Sequence, residues 1–115
     1  MKKSLRLVSA LLFVLFICSM ASAAVPSLTM LSTETCPACK QMLRVFDELK
    51  ADYKNKLSTS HIYLENNQDI AKKYNVRYVP MLIFRDASGN VIAKEIGYRS
   101  ASEVVEIFAK AGIKI

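Results

Sequence analysis

The chain has 115 residues, of which 52% are hydrophobic and 23% charged, and it holds only three glycines and three prolines. A length of this order accommodates one domain, and the composition excludes a disordered segment and a collagen-like or low-complexity repeat. The net charge of +6 would favour anionic partners, but part of it comes from the first residues of the chain.

The amino-terminal segment has the layout of a secretory signal. Three basic residues among the first six precede the uncharged, mostly apolar run Leu7–Cys18, which is followed by the small residues Ala21-Ser22-Ala23. This order of a positive, an apolar and a small-residue region is typical of signal peptides. We therefore predict a signal peptide over residues 1–23, cleaved after Ala23, and one domain over residues 24–115 in the periplasm or secreted.

Two alternatives remain open for this segment. Leu7–Ala24 carries no charge, and its length approaches the roughly 20 residues that span a bilayer, so it could be retained as a membrane anchor. Acylation of Cys18 would make a lipoprotein, although Ile17 is larger than the residue usual before such a site. Without the three bases of the segment, the net charge falls from +6 to +3 and the remaining lysines are scattered. That distribution favours a solvated surface over a nucleic-acid site.

The first half of the predicted domain reads as a strand, a turn and a long helix. Val25–Ser32 is a short apolar strand, and a polar turn follows it over residues 33–35. A helix then opens at Cys36, with a proline suited to its first turn, and runs to about Leu57. Its apolar side chains recur at helical spacing and predict one buried face. These side chains are Met42, Phe46, Leu49 and Tyr53.

The second half alternates strands with shorter helices. The predicted elements are a strand at His61–Glu65, a helix at Asn67–Asn75, strands at Met81–Arg85 and Val91–Ile96, and a last helix capped by Ser100 or Ser102 and stopped at Gly112. Turn residues between Asp86 and Asn90 predict a hairpin. The order βαβαββα requires a parallel, right-handed crossover before the antiparallel hairpin. We therefore predict an α/β fold in which a four-stranded mixed sheet is flanked by helices.

Cys36 and Cys39 are the only cysteines of the predicted mature chain, and both lie at the start of the long helix. The free N–H groups of a helix N-terminus favour an anion, so the pKa of the first thiol should fall. The two intervening residues, Pro37 and Ala38, let the second thiol turn back onto the first. We expect Cys36 to be the more exposed nucleophile and Cys39 the buried thiol that resolves the mixed disulfide.

Two other roles fit the cysteine pair less well. A structural disulfide that closes so short a loop constrains little of the unfolded chain. A zinc site needs four ligands, whereas the predicted mature chain offers two cysteines and His61. We therefore expect no metal, and we place His61 at the surface or at a strand edge.

Three segments together make the chain resemble the thioredoxin superfamily. They are Cys36-Pro37-Ala38-Cys39-Lys40 after a strand, Tyr74–Pro80 before the third strand and Gly97–Ser100 after the fourth. The resemblance implies a thioredoxin-like fold, a redox-active Cys36–Cys39 disulfide, and a cis peptide bond between Val79 and Pro80 that faces the cysteines. The backbone of Val79 would then pair with an extended substrate, and Gly97 would let that substrate approach or would simply end the strand. A trans proline that opens a strand is the alternative.

The chain also departs from thioredoxins proper. Thr35 stands where they have a tryptophan before the first cysteine, and the chain has no tryptophan at all. Met30 stands where they have a buried aspartate that assists proton transfer to the buried thiol. The motif resembles those of glutaredoxins and of periplasmic disulfide-introducing oxidases, but the glycine-rich glutathione segment of glutaredoxins is missing. We therefore expect no cofactor.

The resemblance implies a small exported thiol–disulfide oxidoreductase that acts on protein thiols and disulfides through a Cys36 mixed disulfide. We expect a reductase rather than an oxidase, a monomer, a redox partner in the membrane or the periplasm, and no nucleic-acid partner. A non-catalytic module on the same fold, which uses its thiols to bind a metal or a protein, is the alternative.

Overall fold

The computed structural model describes residues 24–115, and within them strands and helices alternate. In chain order the elements are β1 (Ser27–Ser32), α1 (Pro37–Asp52), β2 (Ser58–Tyr63), a 3-10 turn (Leu64–Asn66), α2 (Gln68–Lys73), β3 (Met81–Arg85), β4 (Val91–Ile96) and α3 (Ala101–Lys110). The predicted signal peptide lies outside the described residues. Over residues 24–115, no helix is both long enough and apolar enough to cross a membrane.

The strands form one mixed sheet in the order β2-β1-β3-β4. β1 pairs with β2 in parallel and with β3 antiparallel, and β4 pairs antiparallel with β3. The predicted fold class is therefore confirmed. β1 is an interior strand whose last five residues are all buried, as expected of a strand covered on both faces. Its carboxyl end consequently delivers the following loop, and the cysteines, to the middle of the sheet edge.

The two faces of the sheet bury different side chains, because successive residues of a strand point to opposite sides. One face packs against α1 and α3, and its core is Leu28, Met30, Leu82, Phe84, Met42, Phe46, Leu49, Val104 and Phe108. The other face packs against α2 and the 3-10 turn, and its core is Leu31, Leu64, Met81 and Ile83. The cysteines belong to the first of these cores.

Some predicted boundaries were wrong. The long helix ends at Asp52 rather than near Leu57, and the backbone N–H of Tyr53 closes it by donating to the carbonyl of Leu49 at 2.9 Å. The second strand begins at Ser58 and stops before Leu64, which opens the 3-10 turn. The first residues of this strand do not alternate between polar and apolar side chains, so the sequence pattern did not predict them as a strand. They belong to the sheet because they pair in register with β1.

The last helix begins after Ser100, one of the two predicted N-cap residues. The hydroxyl of Ser100 accepts a hydrogen bond from the backbone N–H of Glu103 at 3.2 Å, which satisfies one of the free donors of the helix start. The short helix α2 spans Gln68–Lys73 rather than Asn67–Asn75, and its cap residue Asn67 makes no side-chain capping bond.

Candidate active site

The cysteine motif sits on the first turn of α1. Cys36 is the N-cap residue in an extended conformation, with φ −95° and ψ 109°, and Pro37 occupies the first helical position. The Sγ atom of Cys36 accepts a hydrogen bond from the backbone N–H of Cys39 at 3.1 Å. Cysteine thus replaces the serine or aspartate that usually caps a helix. An N–H group aimed at this sulfur favours its thiolate form once the sulfur is reduced.

Cys36 and Cys39 form a disulfide, with their Cα atoms 5.2 Å apart. Cys36 is 9% exposed and Cys39 is 3% exposed. The order of exposure agrees with the expected division between an attacking and a resolving thiol. The margin is narrow, however, because Cys36 is also largely enclosed by its neighbours. Only a small part of the Cys36 residue is therefore accessible from outside.

The loop before the cysteines is fixed by hydrogen bonds from its own backbone. The N–H of Cys36 donates to the carbonyl of Thr33 at 3.4 Å. The N–H of Glu34 donates to the carboxylate of Glu65, in the 3-10 turn after β2, at 2.9 Å. The second contact joins the loop to the 3-10 turn, and together they hold the start of α1 at the carboxyl ends of β1 and β2.

The structure brings Val79, Pro80 and Gly97 together next to the cysteine core. The Val79–Pro80 peptide bond is cis, and Val79 packs against the cluster that contains both cysteines. The N–H of Gly97 donates to the carbonyl of Pro80 at 2.8 Å. Gly97 has a φ of +97°, and the nearest atom that an added Cβ would meet is 3.7 Å away. The glycine is therefore required by its backbone conformation rather than by crowding.

Exposed apolar side chains surround these segments, and sequence analysis did not single them out. Tyr78 precedes Val79 and is 69% exposed, while Ile96 and Tyr98 flank Gly97 and are 48% and 44% exposed. Isolated exposed side chains are normal, but several along one rim indicate a contact surface. The available signal in the sequence was a tyrosine within each of the two recognised segments, Tyr78 and Tyr98.

Tyr98 also lines a surface cavity of about 300 Å³ next to α1. Its other lining residues come from the middle of that helix and are mostly polar or charged: Gln41, Arg44, Val45 and Glu48. The cavity therefore lies beside the cysteine helix, on the side from which the Gly97 segment approaches.

Met30 is fully buried in the core that also contains both cysteines, as expected for an apolar side chain of an interior strand. His61 lies on the edge strand β2, as predicted, but it is not a free surface residue. Its Nε2 atom is hydrogen-bonded to the hydroxyl of Ser32, which is fully buried. Burial, and secondarily the charge of Lys50, lower the pKa of the His61 imidazole below its usual value of 6.5.

Among the described residues, no group of three or more histidine, cysteine, aspartate or glutamate side chains is arranged to hold a metal ion. The chemistry that the arrangement itself supplies is the opening and closing of one disulfide, beside the Val79 side chain that packs against the same core.

The chain is similar in sequence to known proteins. A family model described as a thioredoxin-like domain matches residues 19–112. Thioredoxin of Pseudomonas aeruginosa is 39% identical over 72 residues, which cover 62% of this chain and 65% of that protein. Thioredoxin of Staphylococcus aureus is 33% identical over 76 residues, which cover 65% of this chain and 71% of that protein. The chain thus spans slightly less than two thirds of the Pseudomonas relative.

Two solved structures share the fold. One is described as a malarial protein and superimposes with a TM-score of 0.72, covering 77% of this chain and 99% of its own. The other is thioredoxin-2, described as a component of the malaria parasite protein secretion machinery, with a TM-score of 0.70 over 78% of this chain and 86% of its own. Both are 18% identical in sequence to this chain, so the likeness concerns the fold alone.

Proposed function

The chain belongs to the thioredoxin-like domain family, and we propose that it is a thiol–disulfide oxidoreductase that reduces disulfides of protein substrates outside the cytoplasm. The observation that carries the proposal is the disulfide between Cys36 and Cys39 at the start of α1, with the Cys36 sulfur held by a backbone N–H. The proposed site of action rests on the predicted signal peptide.

The reaction consists of two exchanges. In the reduced enzyme, the Cys36 thiolate attacks a substrate disulfide, so that one sulfur–sulfur bond forms and the substrate bond breaks, releasing one substrate thiolate. The Cys39 thiolate then attacks Cys36, closes the Cys36–Cys39 bond and releases the second substrate thiolate. The substrate gains two electrons and the enzyme loses two. A thiol-bearing redox partner in the membrane or the periplasm must return those electrons.

Substrate binding is assigned to the Val79 segment. Across residues 24–115, no backbone hydrogen bond engages the N–H or the C=O group of Val79. The carbonyl of Pro80, by contrast, is already taken by Gly97. An extended substrate segment can therefore pair with Val79 as an added strand. The exposed Tyr78 and Tyr98 side chains are available to supply apolar contacts to that segment.

The direction of electron flow follows from how well the Cys36 thiolate is stabilised. Strong oxidants of this chemistry have a reduced form that is unusually stable. Here one backbone N–H reaches the Cys36 sulfur, and the sulfur is largely buried, which opposes the charged form. This balance favours a reducing pair.

The redox equilibrium of the mature chain with glutathione tests the proposal. We expect a potential nearer to about −270 mV, the value of thioredoxin, than to about −120 mV, the value of a strong periplasmic oxidant. A value at the oxidising end would reverse the direction. Absence of exchange, with stoichiometric metal uptake instead, would show that the chain is a non-catalytic binding module rather than an enzyme. The Cys36→Ser variant is the matched control and should not exchange.

A further inference from the structure

A polar pair lies on the cysteine-bearing face of the sheet. Ser32 ends β1, four residues before Cys36, and is fully buried. Its hydroxyl is hydrogen-bonded to Nε2 of His61 on β2. Met30 and Ser32 share one face of β1 because they are two residues apart, and Met30 is the direct cross-strand neighbour of His61. Met30 in turn belongs to the core that holds both cysteines.

The resolving step needs a proton acceptor that the core does not otherwise supply. Cys39 is 3% exposed, and burial in apolar surroundings raises the pKa of a thiol. The thioether of Met30 cannot accept its proton. The carboxylates of Glu34, in the loop before the cysteines, and of Glu65, which that loop contacts, are exposed, and that of Glu65 already accepts the Glu34 N–H.

We propose that Ser32 and His61 together accept the proton of the Cys39 thiol when the mixed disulfide resolves. This inference rests on the proposed oxidoreductase function and assigns a residue pair to it. His61 is the only histidine of the chain. It acts through the Ser32 hydroxyl and is therefore a positioning residue of the resolving step.

The surroundings of His61 keep its imidazole neutral at neutral pH. Burial first, and the ammonium of Lys50 on α1 second, lower its pKa. β1 presents Met30 and Ser32 to it, neither of which carries a charge. On its own strand the Tyr63 ring lies 4.3 Å from the imidazole, centroid to centroid. A neutral ring with its proton on Nδ1 leaves Nε2 to accept from the Ser32 hydroxyl.

The step balances as follows. The Cys39 proton passes to the Ser32 oxygen as the Ser32 proton passes to Nε2 of His61, which becomes an imidazolium. The Cys39 sulfur forms a bond to the Cys36 sulfur, and the bond between Cys36 and the substrate breaks. The substrate leaves as a thiolate and takes a proton from solvent, and His61 later returns its own proton to solvent. The substrate is reduced by two electrons and the cysteine pair is oxidised by two.

The first test uses the wild-type protein, because the imidazole signals of its single histidine can be assigned without ambiguity. The C–H proton shifts of His61 are followed against pH by NMR in the disulfide form and in the dithiol form. Coupling between the two sites is reciprocal. We therefore expect a second inflection near the thiol pKa, about 8.5 for an unperturbed cysteine, in the dithiol form alone. Identical titration curves in the two redox forms would overturn the proposal.

The second test measures proton transfer itself. A mixed disulfide is preformed between Cys36 and a small aromatic thiol, and release of that thiol is followed by stopped flow against pH. The wild-type rate should rise through the His61 pKa measured by NMR. The His61→Gln variant keeps a hydrogen-bonding group for Ser32 but cannot titrate. It should lose that inflection and be slower at pH 7 by about tenfold, below the usual contribution of a positioned base.

Two further variants complete the design. Ser32→Ala should lose the same inflection although His61 is retained. Ser58→Ala, at an exposed position of β2, the strand that carries His61, should match the wild type. Superimposable rate profiles of wild type and His61→Gln would refute the role of the pair. Exchange with glutathione is measured separately. Normal exchange, together with a His61 titration that is insensitive to the cysteines, would refute this inference but not the proposed function. Absence of exchange would refute the proposed function.

Discussion

Met30→Asp is the most informative single substitution, because it places a carboxyl in the core that contains the cysteine pair. Met30 is fully buried and shares a core with Cys36 and Cys39. A carboxylate at this position can take the proton of the Cys39 thiol, which the thioether cannot do. We therefore expect faster release from a mixed disulfide at neutral pH than in the wild type.

The same substitution should destabilise the fold by an amount that can be worked out. Removing a buried methionine side chain loses about 1.5–3 kcal/mol of apolar burial. Burying a neutral carboxyl with incomplete hydrogen bonding adds about 1–3 kcal/mol on mutational scales. The expected loss is about 2.5–6 kcal/mol, a large share of the about 5–15 kcal/mol by which a typical domain is stable.

The destabilisation should also depend on pH with a defined sign. Burial raises the folded-state pKa of the introduced carboxyl above its unfolded value, so folding favours the protonated form. The variant therefore loses further stability as the pH rises from about 4, the unfolded pKa, towards the folded one, by about 1.4 kcal/mol for each unit between them. Urea unfolding at pH 4.5 and at pH 7.5 measures this difference, with wild type as the reference.

His61 provides the internal check on this reasoning. It is the direct cross-strand neighbour of position 30, so an introduced carboxylate should raise the pKa of the imidazole by charge attraction. Stopped-flow release from pH 6 to 9 and the His61 titration are measured on the same samples. A rate unchanged from wild type, with an unmoved His61 pKa, would show that position 30 does not lie beneath the cysteines.

Three further outcomes are expected. Cys39→Ser should trap substrates as mixed disulfides and leave a Cys36 thiol whose alkylation rate falls only at low pH, whereas Cys36→Ser should trap no substrate. Equal alkylation rates of the two thiols near pH 7 would contradict the assignment of Cys36 as the nucleophile. Gly97→Ala should cost about 1–2 kcal/mol in urea unfolding, because φ is +97° there and a left-handed residue with a Cβ is strained by that amount; an unchanged stability would contradict it. Because the folded pKa of His61 is lowered, its contribution to stability is present above pH 6.5 and is lost as the pH falls through the folded pKa. Unfolding at pH 7.5 and pH 5 should show this loss in wild type and a smaller one in His61→Gln.

The elements themselves were largely predictable, because their patterns are local. The apolar run after Pro26 marks β1, the proline of the motif suits the first turn of α1, and Ser100 marks the start of α3. The helical spacing of Met42, Phe46 and Leu49 predicted the face that is now fully or almost fully buried. Each of these signals lies within a few residues of the feature that it predicts.

The second strand was predicted less well, for a physical reason. Its first residues, Ser58, Thr59 and Ser60, carry no alternation of apolar and polar side chains. They are drawn into the sheet by parallel pairing with residues 27–29 of β1, and an edge strand needs little apolar surface of its own. The pairing partner is more than 30 residues away in the chain, so no local pattern could reveal it.

By itself, the sequence determined the order of the elements, the α/β fold class and the two cysteines at the start of a helix. These features follow from hydrophobic periodicity, turn residues and helix capping, which act over short stretches of chain. Only the tertiary structure decided that Gly97 donates a hydrogen bond to Pro80, and that His61 reaches the buried hydroxyl of Ser32. Those contacts depend on the register between strands that are distant in the chain, because shifting a strand by one residue would turn His61 to the other face of the sheet.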